Sequence, residues 1–559
     1  MNGRKQKLEL TWIGKDEELK LEPRILIEDP TKSCGDSNSE NMLIYGDNLL
    51  ALKALEQDFA EKIKCIYIDP PFNTRQAFEN YDDNLEHSIW LSLMKYRVEL
   101  LRALLMNEGV IFVHLNIEEL SHFKVLMDEI FGRKNFLQMI TIKAASTASF
   151  RSINLCPVTV TEYILMYAKN KEIYDRPMQY VKSEYSEDYG TYIRNFDKNY
   201  KQWNLVSLDE EVYCRNNIKD WREAREKWGD VWKEIRYFQK KKIAMKEAER
   251  IVSLNTLQKP SNKIQEIINK SKVERENVFC LEREDRDPIY VYNGRTLAFF
   301  AKKLRLIDGE IVPTEVLTNF WDDISYLSLG LEGGVDFANG KKPEFLIKRV
   351  LEIATDPGDW VLDSFLGSGT TSAVAHKMKR NWIGIELGNH AITHSLPRLK
   401  TVVDGSEQGG ISKIVNWSGG GGFKFYNLAS SLLRKDKFGN WIIDEQYNAN
   451  MLAAAMCKHE GFKFFPDESV YWKQGKSTEN DYIFITTSFV TVEQLDKIHE
   501  EMKHGESLLI CAKSFAPACK DRHNNITIKK IPQMILGKCE FGKDNYDLNI
   551  INVSEESED

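Results

Sequence analysis

Two short apolar segments, each followed at once by a distinctive loop, constrain the fold of this chain more than any other feature. The first, residues 63–68, leads into Asp69-Pro70-Pro71-Phe72. The second, residues 360–363, leads into Ser364-Phe365-Leu366-Gly367-Ser368-Gly369-Thr370. Apolar runs of this length, with periodic helical segments between them, predict the buried strands of a parallel sheet. The chain is therefore expected to be an α/β protein.

The segments around both motifs continue this alternation of strand and helix. Asp47 can cap a helix whose apolar stripe runs from Leu49 to Leu55. Pro343 is well placed in the first turn of another helix. The further predicted elements are helices at 88–106, 343–355 and 369–379 and strands at 110–115 and 382–386.

We infer the domain organisation from the positions where this alternation of strands and helices ends. A chain of 559 residues has room for two to four domains. Between the two motif regions lie aromatic-rich loops and a long charged helical stretch, 221–272, which predict an inserted module. Four consecutive glycines, 419–422, read as a flexible loop or linker before a small α/β module. The predicted parts are an extension (1–40), a first half-domain (41–145), the insertion (146–335), a second half-domain (336–425) and the final module (430–559).

Composition excludes several classes of protein. The nine cysteines are scattered without a C-x-x-C pair, so neither a zinc ribbon nor a disulfide framework is expected, and a reduced, cytoplasmic protein without metal fits. No run approaches the roughly 20 apolar residues of a membrane span, and residues 1–10 have no signal-peptide core. Net charge is −8, but residues 141–280 carry a basic excess. That excess fits either a DNA-contacting segment or a solvated surface.

The loop after the first strand resembles the catalytic motif of enzymes that methylate an exocyclic amino group on a nucleobase. Such an amine is a poor nucleophile because its lone pair is delocalised into the ring. Asp69 would accept one N–H and the Pro70 carbonyl the other, while Pro71 stiffens the backbone and Phe72 stacks against the base. The base must leave the duplex, at a cost of roughly a few kcal/mol. The alternative is a strand that simply ends in a Pro-Pro turn.

The loop after the second strand resembles one that holds S-adenosylmethionine. Gly367 and Gly369 permit a tight turn and close approach of the backbone to a ligand. Glu386 ends the next strand, 23 residues after Asp363, where a carboxylate typically grips ribose hydroxyls. The loop lacks the full G-x-G-x-x-G pattern and the phosphate-loop lysine, so a nicotinamide cofactor is not favoured.

The order of the two motifs, catalytic before cofactor, is similar to the permuted beta group of DNA amino-methyltransferases, and in particular to the adenine-specific Mod subunits of type III restriction–modification systems. Segments 43–48, 88–115 and 339–347 resemble the motifs that flank these sites in the family. The resemblance implies a circularly permuted, Rossmann-like methyltransferase fold whose insertion recognises the DNA target. It implies cofactor contacts from Asp47, Lys342, Asp363, Phe365, Gly367, Ser368, Gly369, Thr370 and Glu386. Ser364 and His114 depart from the family pattern, and His114 reads as a packed strand-end residue.

The resemblance also implies partners: double-stranded DNA, a second copy of the chain and a helicase–nuclease restriction subunit. Two alternatives stay open, an N4-cytosine methyltransferase with the same geometry and an inactive subunit that only supplies DNA specificity. Lys240, Lys241, Lys242, Lys246 and Arg250 form a basic cluster. The cluster fits a DNA backbone contact or a solvated helix face equally well.

Overall fold

The computed structural model describes residues 9–71, 87–145, 157–326, 329–337, 340–544 and 546. The chain divides into two compact units. The larger consists of Met1–Arg176 and Thr318–Asp559 and contains both motif segments, and the smaller is Pro177–Leu317. The smaller unit lies wholly inside the insertion expected at 146–335. No helix in the described part of the chain is long and apolar enough to cross a membrane.

The first part of the larger unit alternates strands and helices as expected. Its elements are β1 (Leu26–Glu28), β2 (Cys34–Gly35), β3 (Met42–Tyr45), α1 (Asn48–Phe59), β4 (Ile63–Ile68), α2 (His87–Leu104), β5 (Leu105–Leu115), α3 (Ile117–Met127), β6 (Phe136–Lys143) and β7 (Thr161–Ala168). Asp47 caps α1, as predicted, by accepting a hydrogen bond from the Leu50 N–H at 3.0 Å. Helix α2 ends two residues earlier than predicted because Leu105 already pairs with Ile63 of β4.

The smaller unit is built mainly from antiparallel strands. Its elements are β8 (Tyr180–Lys182), β9 (Thr191–Arg194), β10 (Asn204–Ser207), α4 (Leu208–Arg215), α5 (Trp221–Trp228), α6 (Trp232–Lys246), β11 (Ile251–Asn255), α7 (Asn262–Val273), β12 (Val278–Arg283), β13 (Arg286–Tyr292), β14 (Arg295–Phe299), β15 (Leu304–Ile307) and β16 (Glu310–Val316). Six strands form one sheet in the order β10-β9-β11-β14-β13-β12, and β15-β16-β8 form another. The expected long helical stretch is wrong, because the apolar run at 251–255 is a strand in the middle of the larger sheet.

The second part of the larger unit completes a central sheet. Its elements are β17 (Phe320–Trp321), α8 (Glu344–Ala354), β18 (Trp360–Asp363), α9 (Thr370–Lys377), β19 (Asn381–Glu386), α10 (Leu396–Asp404) and β20 (Gly422–Leu428). The strand order is β1-β20-β3-β19-β18-β4-β5-β7-β6-β17. The strands from β20 through β5 are mutually parallel, whereas β7 runs antiparallel between β5 and β6.

This arrangement confirms the expected Rossmann-like fold and its permutation. Strand β4, which carries the first motif, precedes strand β18, which carries the second, yet the two are neighbours in the sheet. Helices cover a core formed by the apolar residues of β3, β4, β5, α1 and α2. Burial on both faces explains why these strands read as continuous apolar runs in the sequence.

The last part of the chain forms two separate sheets within the larger unit. Its elements are β21 (Leu433–Lys435), β22 (Trp441–Ile443), α11 (Ala449–Glu460), β23 (Lys463–Phe464), β24 (Gly475–Lys476), β25 (Asp481–Val490), α12 (Val492–Glu501), β26 (Ser507–Phe515) and β27 (Ile526–Lys530). One sheet consists of β21 and β22 and the other of β23 to β27. The strands β25 and β26 and the helix α12 between them give this part the mixed α/β character that the sequence predicts. The glycine run is not a linker, because it leads directly into β20, which pairs with β3.

Candidate active site

The two motif loops meet because their strands are adjacent. Strands β4 and β18 pair in parallel, with Val361 opposite Cys65 and Leu362 opposite Ile66. Parallel strands end at the same edge of a sheet, so Asp69 and Asp363 emerge side by side. Glu386 ends β19, which flanks β18 on its other side. The fold thus brings Asp69 to the same edge as Asp363 and Glu386, which lie far along the chain from it.

Asp69 has the most distinctive environment of the three. Its side chain retains 18% of its exposure, and its Oδ2 atom lies 3.3 Å from the Lys342 ammonium. The Oδ1 atom is buried and has no hydrogen-bond partner among the described residues. Burial raises the pKa of Asp69, and the nearby Lys342 ammonium opposes that rise. A buried, unpaired carboxylate oxygen costs about 1 to 3 kcal/mol, so an incoming N–H donor would be bound favourably here.

A chain of buried polar groups extends from Asp69 into the sheet. The Lys342 ammonium lies 3.2 Å from Glu162 Oε2 as well as beside Asp69. Glu162 Oε2 is 2.6 Å from His114 Nε2, and His114 Nδ1 is 2.8 Å from the Tyr67 hydroxyl. Burial tends to raise the pKa of Glu162, but Lys342 and His114 hold it well below its usual range. Lys342 therefore bridges two carboxylates, of which Glu162 is the more firmly ionised.

Lys342 and His114 each make a contact that the sequence did not indicate. The Lys342 ammonium lies beside the Asp69 carboxylate, and its expected contact with the cofactor stays a prediction. His114 is a buried strand-end residue, as expected, but it also belongs to the hydrogen-bonded chain. Glu162 was missed; a charged residue at the start of the otherwise apolar segment 161–168 was the available signal.

The proline loop after Asp69 is held by a tryptophan. The Trp90 indole N–H donates to the Pro71 carbonyl at 2.9 Å, and the Trp90 side chain is buried against Phe123. Pro70 is buried. Trp90 is therefore a core residue that also holds this loop in place. Phe72, the expected stacking residue, lies outside the described residues.

A second unpaired polar group lies near Asp69. The Tyr326 hydroxyl is buried without a hydrogen-bond partner in the described ranges. Burial, together with the negative charges of Glu162 and Asp69, raises the pKa of Tyr326, so its hydroxyl keeps its proton. Sequence reasoning gave no signal for this residue, because it stands in a segment without strand or helix periodicity.

The glycine loop between β18 and α9 adopts the turn that its sequence predicts. Gly367 and Gly369 have φ of 56° and 83°, a region that favours glycine. A side chain built on Gly367 would meet nothing within 4 Å, so the space beside this backbone is open to a ligand. Asp363 organises the loop by accepting hydrogen bonds from the Phe365 N–H at 3.0 Å and the Thr371 hydroxyl at 2.6 Å. Burial raises the pKa of Asp363 to about 7.

Glu386 closes the loop from the neighbouring strand. Its Oε2 accepts the Gly367 N–H at 2.7 Å, and its Oε1 accepts the Gly388 N–H at 2.9 Å. His390 Nε2 lies 3.0 Å from Oε1. Burial tends to raise the pKa of Glu386, but His390 and the two backbone donors bring it below its usual value. The carboxylate is thus ionised, fixed in orientation and able to accept hydroxyl donors.

Ser368 and Thr370, two further candidate cofactor contacts, accept hydrogen bonds from the buried Arg398 side chain. The Arg398 guanidinium donates to the Thr370 hydroxyl at 2.7 Å and weakly to Ser368 Oγ at 3.5 Å. Its other end pairs with Glu344 at 2.8 Å, and Lys377 pairs with the same carboxylate at 2.8 Å. Arg398 was not predicted, since nothing near it in the sequence suggests a link to this loop.

Both carboxylate oxygens of Asp47 accept hydrogen bonds from backbone N–H groups of this chain. Besides capping α1, Asp47 lies 3.5 Å from Arg97 and accepts the Tyr546 N–H at 3.3 Å. Its neighbour Asn48 donates to the Ser364 carbonyl at 2.7 Å and so touches the cofactor loop directly. The cap is confirmed, and the cofactor contact of Asp47 stays a prediction.

In the smaller unit, the basic cluster on α6 is largely paired. Lys240 is buried against Glu187 and Asp209, at 3.0 and 3.3 Å. Lys241 pairs with Glu184 at 2.8 Å. Lys240 is therefore a buried, paired residue and not part of a solvated helix face.

Comparison with known proteins agrees with this geometry. The family model described as DNA methylase, for N6 and N4 methyltransferases, matches residues 63–279 and 311–396. A probable type III restriction–modification Mod subunit, HindVI of Haemophilus influenzae, is 36% identical over 413 residues, covering 70% of this chain and 54% of that protein. The EcoPI Mod subunit of Escherichia phage P1 is 27% identical, covering 66% of this chain and 61% of that one. The chain thus spans between half and two thirds of these relatives.

Among solved structures, a DNA modification methylase of Thermus thermophilus complexed with S-adenosyl-L-methionine is 13% identical, with a TM-score of 0.30. The match covers 69% of this chain and 99% of that one. The assignment of the fold rests on the strand order and register of this chain itself.

Proposed function

The chain belongs to the family of N6 and N4 DNA methylases, and on that premise we propose that it transfers a methyl group to the N6 amino group of adenine in a short DNA sequence. The observation that carries the proposal is the buried Oδ1 atom of Asp69, which has no hydrogen-bond partner in the part of the chain that the structure describes and lies at the same sheet edge as the glycine loop. A carboxylate oxygen in need of a hydrogen-bond donor suits an exocyclic amine, because the amine supplies two N–H groups.

S-adenosyl-L-methionine, when bound, supplies the methyl group on an activated sulfonium. The residues of this chain suit it, since the open space beside Gly367 admits a ligand and the ionised Glu386 can accept ribose hydroxyls. Asp363 and Arg398 keep the loop in the shape that binding needs. Phe365, Gly367, Ser368, Gly369 and Thr370 are the candidate contacts of the loop, with Asp47 and Lys342 as further candidates.

Asp69 and the Pro70 carbonyl would each accept one N–H of the target amine. This draws the nitrogen lone pair out of conjugation with the ring and directs it at the methyl group. Methyl transfer would leave a positive charge on the amine nitrogen, and Asp69 Oδ1 would accept one of its protons. Because burial raises the pKa of Asp69, it is a better proton acceptor than an exposed aspartate.

The likeness to Mod subunits supports a finer proposal. The HindVI and EcoPI relatives are named as Mod subunits of type III restriction–modification enzymes. We infer that this chain modifies double-stranded DNA in such a system, in the cytoplasm, as a homodimer and alongside a helicase–nuclease restriction subunit. The smaller unit, Pro177–Leu317, is the candidate for recognition of the DNA sequence.

A direct test uses the purified chain, plasmid DNA and S-adenosylmethionine with a labelled methyl group. The DNA is digested to nucleosides, and the modified base is identified by mass spectrometry. We expect N6-methyladenine. N4-methylcytosine would keep the mechanism and change the base, whereas absence of label in DNA, with the protein folded and bound to S-adenosylmethionine, would contradict the proposal.

The Asp69→Ala variant tests whether methyl transfer depends on this site. Loss of one preorganised electrostatic group typically slows a reaction by about a hundred- to a thousandfold. The matched control is Asp175→Asn, an exposed aspartate in the same unit, which should leave the rate unchanged. Equal rates for wild type and Asp69→Ala would overturn the role of Asp69.

A further inference from the structure

A cluster of two histidines and one glutamate lies one helical turn from the tryptophan that holds the proline loop. His87 begins α2, and Glu119 and His122 lie three residues apart on α3. One ligand atom from each of the three lies within 4.8 Å of the others. We propose that these residues bind a divalent transition-metal ion, such as Zn²⁺, and that the ion clamps α2 to α3.

The geometry is close to what a metal ion requires. His87 Nδ1 lies 2.7 Å from Glu119 Oε1, and His122 Nδ1 lies 3.7 Å from Glu119 Oε2. Ligands about 2.1 Å from an ion lie about 3 to 3.5 Å from one another. The two observed distances bracket that range, so small side-chain rotations are enough. The i, i+3 spacing on α3 places Glu119 and His122 on the same face of the helix.

The environment of the three side chains also fits. Glu119 is fully buried, whereas the side chains of His87 and His122 are 46% and 44% exposed, so an ion can enter from solvent. The His122 Nδ1 atom is itself buried and has no hydrogen-bond partner within the described ranges. The two imidazole rings are 5.0 Å apart, and both present Nδ1 toward the same carboxylate.

The donor set selects the class of ion. Two imidazoles and one carboxylate suit Zn²⁺, Co²⁺, Ni²⁺ or Fe²⁺ and leave positions open for water. Mg²⁺ prefers oxygen ligands in an octahedral arrangement and should bind poorly. The absence of C-x-x-C pairs argued against a cysteine-based zinc site, but it has no bearing on a site of this composition.

The position suggests what the ion does. Trp90 lies one turn after His87 on α2, donates to Pro71 and packs against Phe123, which follows His122 on α3. An ion shared by α2 and α3 would therefore fix the start of α2 where it supports the loop after Asp69. Methyl transfer itself needs no metal, so the role is structural and does not depend on the proposed function.

The test is a titration of the full-length, chelator-treated chain with Co²⁺, followed by its visible absorption bands. We expect one equivalent of Co²⁺ to bind, to be displaced by Zn²⁺ and to be unaffected by excess Mg²⁺. His122→Gln and His87→Gln should each weaken binding at least tenfold. The matched control, His523→Gln, removes a histidine from the final module, where it stacks on His499, and should bind as wild type.

Thermal melting provides a second readout. Saturating Zn²⁺ should raise the Tm of the wild type and of His523→Gln by about 2 to 5 °C and should not raise that of His122→Gln. Because the two site histidines are half-exposed, their substitution leaves a folded protein, which the metal-free Tm verifies. Failure of the wild type to bind Co²⁺ at micromolar concentration would overturn the proposal. Binding that survives both substitutions would overturn it too, since the ion would then lie elsewhere.

Discussion

Replacing Lys342 with methionine tests how far the positive charge of Lys342 keeps Asp69 ionised. The Lys342 ammonium lies 3.3 Å from Asp69 Oδ2. At an effective dielectric constant of about 20, two charges at this distance attract each other by about 5 kcal/mol. Loss of this neighbouring cation should raise the pKa of Asp69 further, because the ammonium favours the ionised carboxylate. Since burial already raises that pKa, the protonated form of Asp69 should be more populated near neutral pH in Lys342→Met than in the wild type.

The protonated acid cannot accept the N–H in the same way, so methyl transfer should fall by about a hundred- to a thousandfold at pH 7.5. Activity requires the ionised form, and it is lost as the pH falls through the pKa of Asp69. Because Lys342→Met raises that pKa, the acidic limb of the pH–rate profile moves to higher pH. The methylation rate of Lys342→Met should therefore rise by about tenfold between pH 7.5 and 9.5, because Asp69 becomes ionised over this range.

The assay is the initial rate of methyl transfer from pH 6 to 9.5 with cofactor and DNA saturating. Lys342→Arg keeps the positive charge and should keep the wild-type profile, and Lys413→Met, at an exposed position, serves as the control for loss of a lysine. A Lys342→Met profile parallel to the wild type would refute the coupling to Asp69. Rescue by excess cofactor alone would instead assign Lys342 to cofactor binding.

Three further predictions test the supports of the site. Gly367→Ala should weaken cofactor binding at least tenfold in a calorimetric titration, whereas Gly439→Ala, also at positive φ but remote, should not. Arg398→Met removes one of the two cations paired with the buried Glu344 and should lower the free energy of unfolding by about 3 to 5 kcal/mol in denaturant melts. Loss of the exposed Arg434 should cost about 1 kcal/mol or less in the same melts. Trp90→Phe keeps the packing but loses one hydrogen bond, so kcat should fall about tenfold with little change in Tm; an unchanged kcat would contradict the account.

The fold was readable from the sequence because its strands are buried on both faces. The apolar runs that end at Ile68 and Asp363 could hardly be anything but neighbouring parallel strands once both loops are recognised. Local signals also sufficed for the Asp47 cap and for the turn at Gly367. The helical interpretation of 221–272 failed, because a short apolar strand within charged helices has no distinctive period.

The site was only partly readable, because its supports come from distant parts of the chain. Asp69 and the glycine loop are contiguous motifs, but the partners of Asp69 are Lys342 and, through it, Glu162. Neither ion pair corresponds to a residue spacing that could be recognised in the sequence. The same holds for Arg398, whose contacts depend on the packing of α8, α9 and α10. Such long-range ion pairs appear only once the fold is known.

The most direct test of the central claim is single-molecule sequencing of modified bases in genomic DNA from a host that expresses this chain, compared with a host that expresses Asp69→Ala. We expect N6-methyladenine in one short sequence motif with the wild type and none with the variant. No new modification by a folded, cofactor-binding wild type would contradict it, and so would equal modification by the variant.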